Sequence, residues 1–127
     1  MKLSRASLVA AALAGGAAVV LGAFGAHALR NSLDASALAT WHTAVDYEFW
    51  HALALLGVSA LARDRTTRSL RVAAIAFVLG ILLFCGSLHA LALGGPRAIG
   101  VITPLGGIAF IVGWIALAIH GWLHEER

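Results

Sequence analysis

The side chains with chemical potential in this chain are His27, His42, Asp46, Glu48, His51 and His89, joined by Tyr47 and the hydroxyls of Ser87 and Thr103. Spacing sorts them. His42 and Asp46 stand four residues apart and share a helical face; Tyr47 and His51 share a neighbouring one, and Glu48 reaches His51 at three. Three kinds of chemistry fit such a set. The favoured one is a hydrogen-bonded polar cap, in which imidazoles and carboxylates satisfy each other and fix helix register. The second is a metal or haem site. Glu48-Phe49-Trp50-His51 has the Glu-x-x-His spacing of carboxylate-bridged metal bundles, although those carry the motif on two helices and this chain carries it on one. Haem needs two axial imidazoles at matching depth, for which His27, His51 and His89 are the candidates. The third is a proton or small-solute path, since carboxylate–imidazole chains carry protons in transporters. Four short helices without an internal repeat serve transport poorly unless they oligomerise. No catalytic signature accompanies these residues, so the sequence leans away from a stand-alone enzyme, and the cofactor stays unassigned.

The elements that must position these groups are plain. Four apolar runs cover residues 6–29, 45–62, 72–93 and 101–123 of 127, each close to the ~20 residues that cross a bilayer as a helix. A hydrophobic content of 61% and a mean hydropathy of +0.90 exclude an ordinary soluble domain. The expectation is one all-α domain, an integral membrane four-helix bundle, with the lipid bilayer as its principal partner. Residues 34–44 extend the second helix toward the interface, capped by Ser32 or Asp34, with Trp41 and Tyr47 at headgroup level. Gly94, Gly95 and Pro96 mark a tight turn, and Thr103-Pro104 opens the last helix. Ala14, Ala18, Gly22 and Ala26 recur every fourth residue and offer a flat packing face, within the bundle or toward a membrane partner or second copy. Cys85 stands alone, so no intrachain disulfide forms, and it reads as a packing residue.

Basic residues give the orientation. Seven Lys or Arg fall at the amino terminus, in the second connection and at the carboxyl terminus, against two, Arg30 and Arg97, on the other side. The positive-inside rule then puts both termini in the cytoplasm. The same distribution argues against nucleic acid, because the basic residues form no patch beyond the arginine-rich connection. The Met1–Arg5 segment followed by an apolar run resembles a secretory signal, but about twenty apolar residues exceed the roughly 7–15 of a signal core, so a retained first span is expected. On this topology His27, His51 and His89 fall in the outer third of the bundle. Consecutive antiparallel helices are neighbours, so His27 and His51 are expected to meet, with Tyr47, Ser87 and Thr103 completing the cluster.

Gly22-Ala23-Phe24-Gly25-Ala26-His27, Trp41-His42-Thr43-Ala44-Val45-Asp46-Tyr47, His51-Ala52-Leu53-Ala54-Leu55-Leu56, Leu83-Phe84-Cys85-Gly86-Ser87-Leu88, Thr103-Pro104-Leu105-Gly106-Gly107 and Gly113-Trp114 resemble the YgdD-like membrane proteins. These form the domain-of-unknown-function family 423, which includes the animal transmembrane protein 256. The resemblance covers nearly the whole chain. It implies a small multi-pass protein of the bacterial inner membrane and carries no assigned activity; the lack of a catalytic constellation and the small-residue faces are what point to an accessory or assembly subunit of a membrane complex. Its pattern falls on Gly25, His27, Trp41, Thr43, Tyr47, His51, Ser87, Thr103, Pro104, Gly106, Gly107, Gly113 and Trp114. Glu48 departs from it, standing where Gln or His is usual, and so does His89, where an aromatic is usual.

Overall fold

The computed structural model describes residues 1–124. The polar tail from Glu125 to Arg127, including one of the seven basic residues of the charge count, lies outside them. The described chain is helical throughout and contains no strand. α1 spans Leu3–His27, α2 Ala35–Leu61 and α3 Arg68–Gly80; a π-helical turn, Ile81–Cys85, joins α3 without a break to α4, Gly86–Ala92. A 3-10 turn, Arg97–Val101, leads into α5, Ile102–His124. Counting α3–α4 as one rod, there are four helical rods. Three of them, Leu3–His27, Arg68–Ala92 and Arg97–His124, are long and apolar enough to cross a membrane. α2 has the length but is less apolar, because His42, Asp46, Glu48 and His51 all lie on it.

Local chemistry sets the ends. Asp34 caps α2, its carboxylate accepting from the Ala37 N–H at 2.7 Å. Thr67 caps α3 through the Leu70 N–H at 3.2 Å. The α4 end closes as a Schellman motif: Gly95 N–H donates to the Ala90 carbonyl and Gly94 N–H to the Leu91 carbonyl. Gly94 sits at φ +92°, a conformation that side chains disfavour, which is why glycine follows the helix there.

The rods pair as α1 on α2 and α3–α4 on α5, with α2 also packing along α3, the π turn and α4. The packed face of α1 is Ser7, Ala11, Ala18 and Gly25, not the four-residue row of Ala14, Ala18, Gly22 and Ala26. A strict four-residue repeat advances about 40° per step around a helix of 3.6 residues per turn, whereas a seven-residue repeat drifts only ~20°. Only the latter keeps one line against a straight neighbour, and Ala26 accordingly ends up exposed. Trp41 also departs from expectation. It is 2% exposed, its ring held between α1 and α2 and not on the outer surface, and its indole N–H donates to the Leu21 carbonyl at 2.9 Å.

Glycines make room for rings at the other contacts. Gly25 faces the Trp41 indole, Gly80 the Phe110 ring, and Gly113 the Phe77 ring. Gly106 abuts the main chain of Phe84 in the π turn, so α5 and the third rod touch backbone to backbone. A methyl at position 106 meets main-chain atoms that cannot rotate away, whereas one at Gly16 meets nothing within 4 Å. Gly106→Ala is therefore expected to lower stability by about 2–3 kcal/mol through overpacking. Gly16→Ala should raise it by about 0.5–1 kcal/mol from helix propensity. Thermal unfolding of the purified variants in detergent separates the two; equal effects would refute the backbone contact.

Candidate functional site

His51 is the centre of the interior polar chemistry. It is 4% exposed, and its ring lies flat on Phe110, centroids 3.6 Å apart and planes 14° apart. Nδ1 lies 2.7 Å from the Tyr47 carbonyl one turn back, and Nε2 lies 3.1 Å from Nε1 of Trp114 on α5. A carbonyl only accepts and an indole N–H only donates, so the ring must be the neutral tautomer with its proton on Nδ1. Both nitrogens are then committed. A groove of about 730 Å³ lined by Tyr47, Trp50, Pro104 and Trp114 passes this ring, yet His51 has no free lone pair to offer a metal in it.

Ser87 and Thr103 form a second link. The Ser87 hydroxyl donates to the Phe84 carbonyl at 3.0 Å, so its single proton is used, and Thr103 must be the donor in the 2.6 Å bond between the two hydroxyls. The bond ties α4 to the first turn of α5 just beyond the π turn. Tyr47 is half-buried, its ring packed on Phe84 and Phe110 at centroid distances of 4.6 and 6.1 Å. It packs against the main hydrophobic core.

Glu48 does not turn to His51. It is 6% exposed and faces His89 on α4, Oε1 to Nε2 3.6 Å, with the Trp41 ring edge against the imidazole at 4.4 Å. Glu48 and His89 share a crevice with Ala17 of α1. His89 stands three residues before the end of α4, so the pair sits toward that end of the rods. An acidic side chain at the centre of a span costs about 2.5–3.5 kcal/mol on insertion scales and less toward its end, so the partner of a buried one is significant.

The expected set therefore divides. His27 is exposed at the end of α1 and, among the described residues, makes no hydrogen bond to His51; the partner of His51 is Trp114 instead. α1 ends with its buried line on Gly25, so position 27, about 200° around the helix at 100° per residue, faces outward. His42 and Asp46 are exposed as well. The three metal candidates are accordingly distributed as one exposed ring, one ring with both nitrogens bonded and one ring beside a carboxylate. Among the described residues no group of three or more His, Cys, Asp or Glu converges. Trp114 was not among the expected site residues, although the Gly113-Trp114 string pointed to it. Cys85 is fully buried and free.

The family model described as "Protein of unknown function (DUF423)" matches residues 21–107, more than half of the chain. The chain belongs to this family. It is 46% identical over 104 residues to a UPF0382 membrane protein of Staphylococcus saprophyticus, covering 80% of this chain and 84% of that one. It is 44% identical to a UPF0382 membrane protein of Haemophilus influenzae, over 87% of this chain and 89% of the relative. To the UPF0382 inner membrane protein YgdD of Escherichia coli K12 it is 37% identical, over 98% and 94%. No solved structure matches. The DUF423 match reaches through Thr103 and Gly106, so it includes the point where α5 meets the main chain of the π turn.

The Trp114–His51 bond yields a direct expectation. Trp114→Phe leaves Nε2 of His51 without its donor and should cost about 1–3 kcal/mol. Combining it with His51→Phe should recover part of that loss, because an apolar ring leaves nothing unsatisfied. Nitrogen NMR of the unaltered protein should show His51 as the Nδ1–H tautomer; an Nε2–H signal would overturn the assignment.

Proposed function

We propose that this DUF423 member is a four-span protein of the bacterial inner membrane, both termini cytoplasmic, acting as an accessory or assembly subunit of a larger membrane complex. The observation that carries this reading is where the interior hydrogen bonds go. Trp41 to Leu21, Trp114 to His51, Thr103 to Ser87, and the Ser59 hydroxyl to the Ser4 carbonyl at 2.6 Å each join one helix to another. His120 likewise bonds the Thr67 hydroxyl at 2.9 Å and holds α5 to the start of α3. These groups brace a scaffold. The outer surface is apolar, with Val20, Phe24, Leu53, Ile111 and Ile115 among its exposed side chains, and suits lipid or a membrane partner.

α2 serves as the fourth span on the same logic. Its 27 residues reach about 40 Å, its polar Glu48, His51 and Ser59 are buried, and Phe49, Trp50, Leu53 and Leu56 face outward. The charge count and the inner-membrane designation of the E. coli relative support the location and orientation.

Single cysteines at Asn31 and Thr66, in a Cys85→Ala background, test the topology in intact cells. Asn31 should react with an impermeant maleimide, and Thr66 only after permeabilisation. Reversal would invert the orientation, and labelling of both from one side would remove α2 as a span. Photo-crosslinkers at Val20 and Ile111 should trap a discrete adduct with a different membrane protein. Adducts with lipid or with a second copy alone would overturn the subunit role.

A further inference from the structure

Glu48 and His89 are buried in the interior and join no helix to another by a hydrogen bond among the described residues. Oε2 of Glu48 and both ring nitrogens of His89 are buried and have no hydrogen-bond partner among the described residues. The 3.6 Å between Oε1 and Nε2 brings carboxylate and imidazole side by side but exceeds an N–H···O bond. Ser7 Oγ is the other buried side-chain atom without a partner among the described residues, but it stands alone, whereas Glu48 and His89 face each other.

The pair opens onto a cavity. Glu48 and His89 line a crevice of about 420 Å³ whose remaining walls are apolar, among them Ala14, Ala17, Leu55 and Ile81. That volume falls within the ~300–1,000 Å³ of small-molecule sites, which combine apolar walls with a few convergent polar groups. Its rim carries Leu13 and Leu82, 70% and 64% exposed, so the mouth faces laterally, where lipid lies, and not along the helix axes toward water. The π turn contributes Ile81 and Leu82 to it, and such turns recur at functional sites.

We propose that this crevice binds a membrane-dissolved alcohol or phenol. An apolar body lies against α1 and the π turn, and its terminal hydroxyl reaches the Glu48–His89 pair. The chemistry follows from the two groups. A carboxylate only accepts, so the ligand must supply an O–H; an imidazole N–H donates, so the same oxygen can accept from His89. A single hydroxyl meets both demands. An aliphatic ether or a hydrocarbon cannot donate, and a water-soluble polar solute would leave the apolar walls unmatched. An isoprenoid alcohol and a hydroquinone share the required features.

Gly86 supplies a clean control. It lines the crevice, its backbone is helical, and a Cβ there meets nothing within 4 Å. Gly86→Leu should therefore fill the cavity while leaving the fold and both polar groups in place. The purified full-length protein in nanodiscs is titrated with farnesol, decylhydroquinone and farnesyl methyl ether, following tryptophan fluorescence, since Trp41 packs on His89, and the shift in Tm. Saturable binding is expected for farnesol or decylhydroquinone, and whichever binds tighter identifies the ligand as alcohol or phenol. The methyl ether should bind at least tenfold more weakly. Glu48→Leu should weaken binding at least tenfold while the ligand-free protein melts at the same or a higher temperature, and Gly86→Leu should abolish saturation without lowering Tm. The proposal fails if neither hydroxylated probe saturates, if the methyl ether matches the alcohol, or if Glu48→Leu and Gly86→Leu bind like the unaltered protein. None of these outcomes bears on topology or on the crosslinked partner.

Discussion

The indole of Trp41, inserted between α1 and α2 with its N–H on the Leu21 carbonyl, sets the geometry from which the rest of the molecule follows. In lipid there is little hydrophobic force to press one helix on another, so contacts must come from close packing and hydrogen bonds. A ring of this size fits only because Gly25 carries no side chain; a Cβ there would stand 2.5 Å from the indole. Ring, carbonyl and glycine fix the rotation and height of α1 against α2 together. With that register set, the Ala11–Ala18–Gly25 line faces α2, and Glu48 is aimed across to α4.

α2 is in turn the polar keel of the fold. Its inward residues reach three different neighbours: Trp41 reaches α1, Glu48 reaches α4, and His51 reaches α5. Each such group is costly to bury in lipid, and each is placed where only one rotational setting of the neighbouring helix can serve it. The lower hydropathy of α2 is thus the consequence of its position among the other rods. The π turn belongs to the same geometry. Buried positions in the third rod run Phe77, Gly80 and then Cys85, five residues on where a regular helix would take three or four. The added residue rotates α4 so that Ser87 faces Thr103 and His89 faces Glu48.

Length and composition revealed the helices and the long second rod, and narrowed its cap to Ser32 or Asp34, because apolar runs and capping residues act locally; the structure settles on Asp34. The interior polar residues His51, Tyr47, Ser87 and Thr103 were also legible as a group, from their spacing and from the family strings. Their partners were not. Glu48 and His51 share a three-residue spacing, yet one belongs to α4 and the other to α5, since residues three apart still diverge by about 60° around a helix. No local signal marks a π turn, so the meeting of Glu48 with His89 was hidden. His27 was misplaced for a related reason: depth can be counted along a sequence, but facing depends on which line of the helix the neighbour selects, and Gly25 selects it here.

The strings that carry the family resemblance acquire a physical meaning from this arrangement. Gly25 and Trp41, Ser87 and Thr103, His51 and Trp114 are contacting pairs, and Gly106 is where α5 meets the π turn. They are braces, each useless without its partner on another helix, so a chain that keeps one must keep the other to retain the fold. A likeness built on such pairs is a likeness of architecture. Glu48 and His89 stand apart from these braces. They face each other at 3.6 Å, and neither adds a hydrogen bond to the brace network. A carboxylate and an imidazole that lack hydrogen-bond partners at a cavity wall, in a molecule whose helix-to-helix hydrogen bonds are spent on rigidity, are the groups the fold leaves available to a ligand.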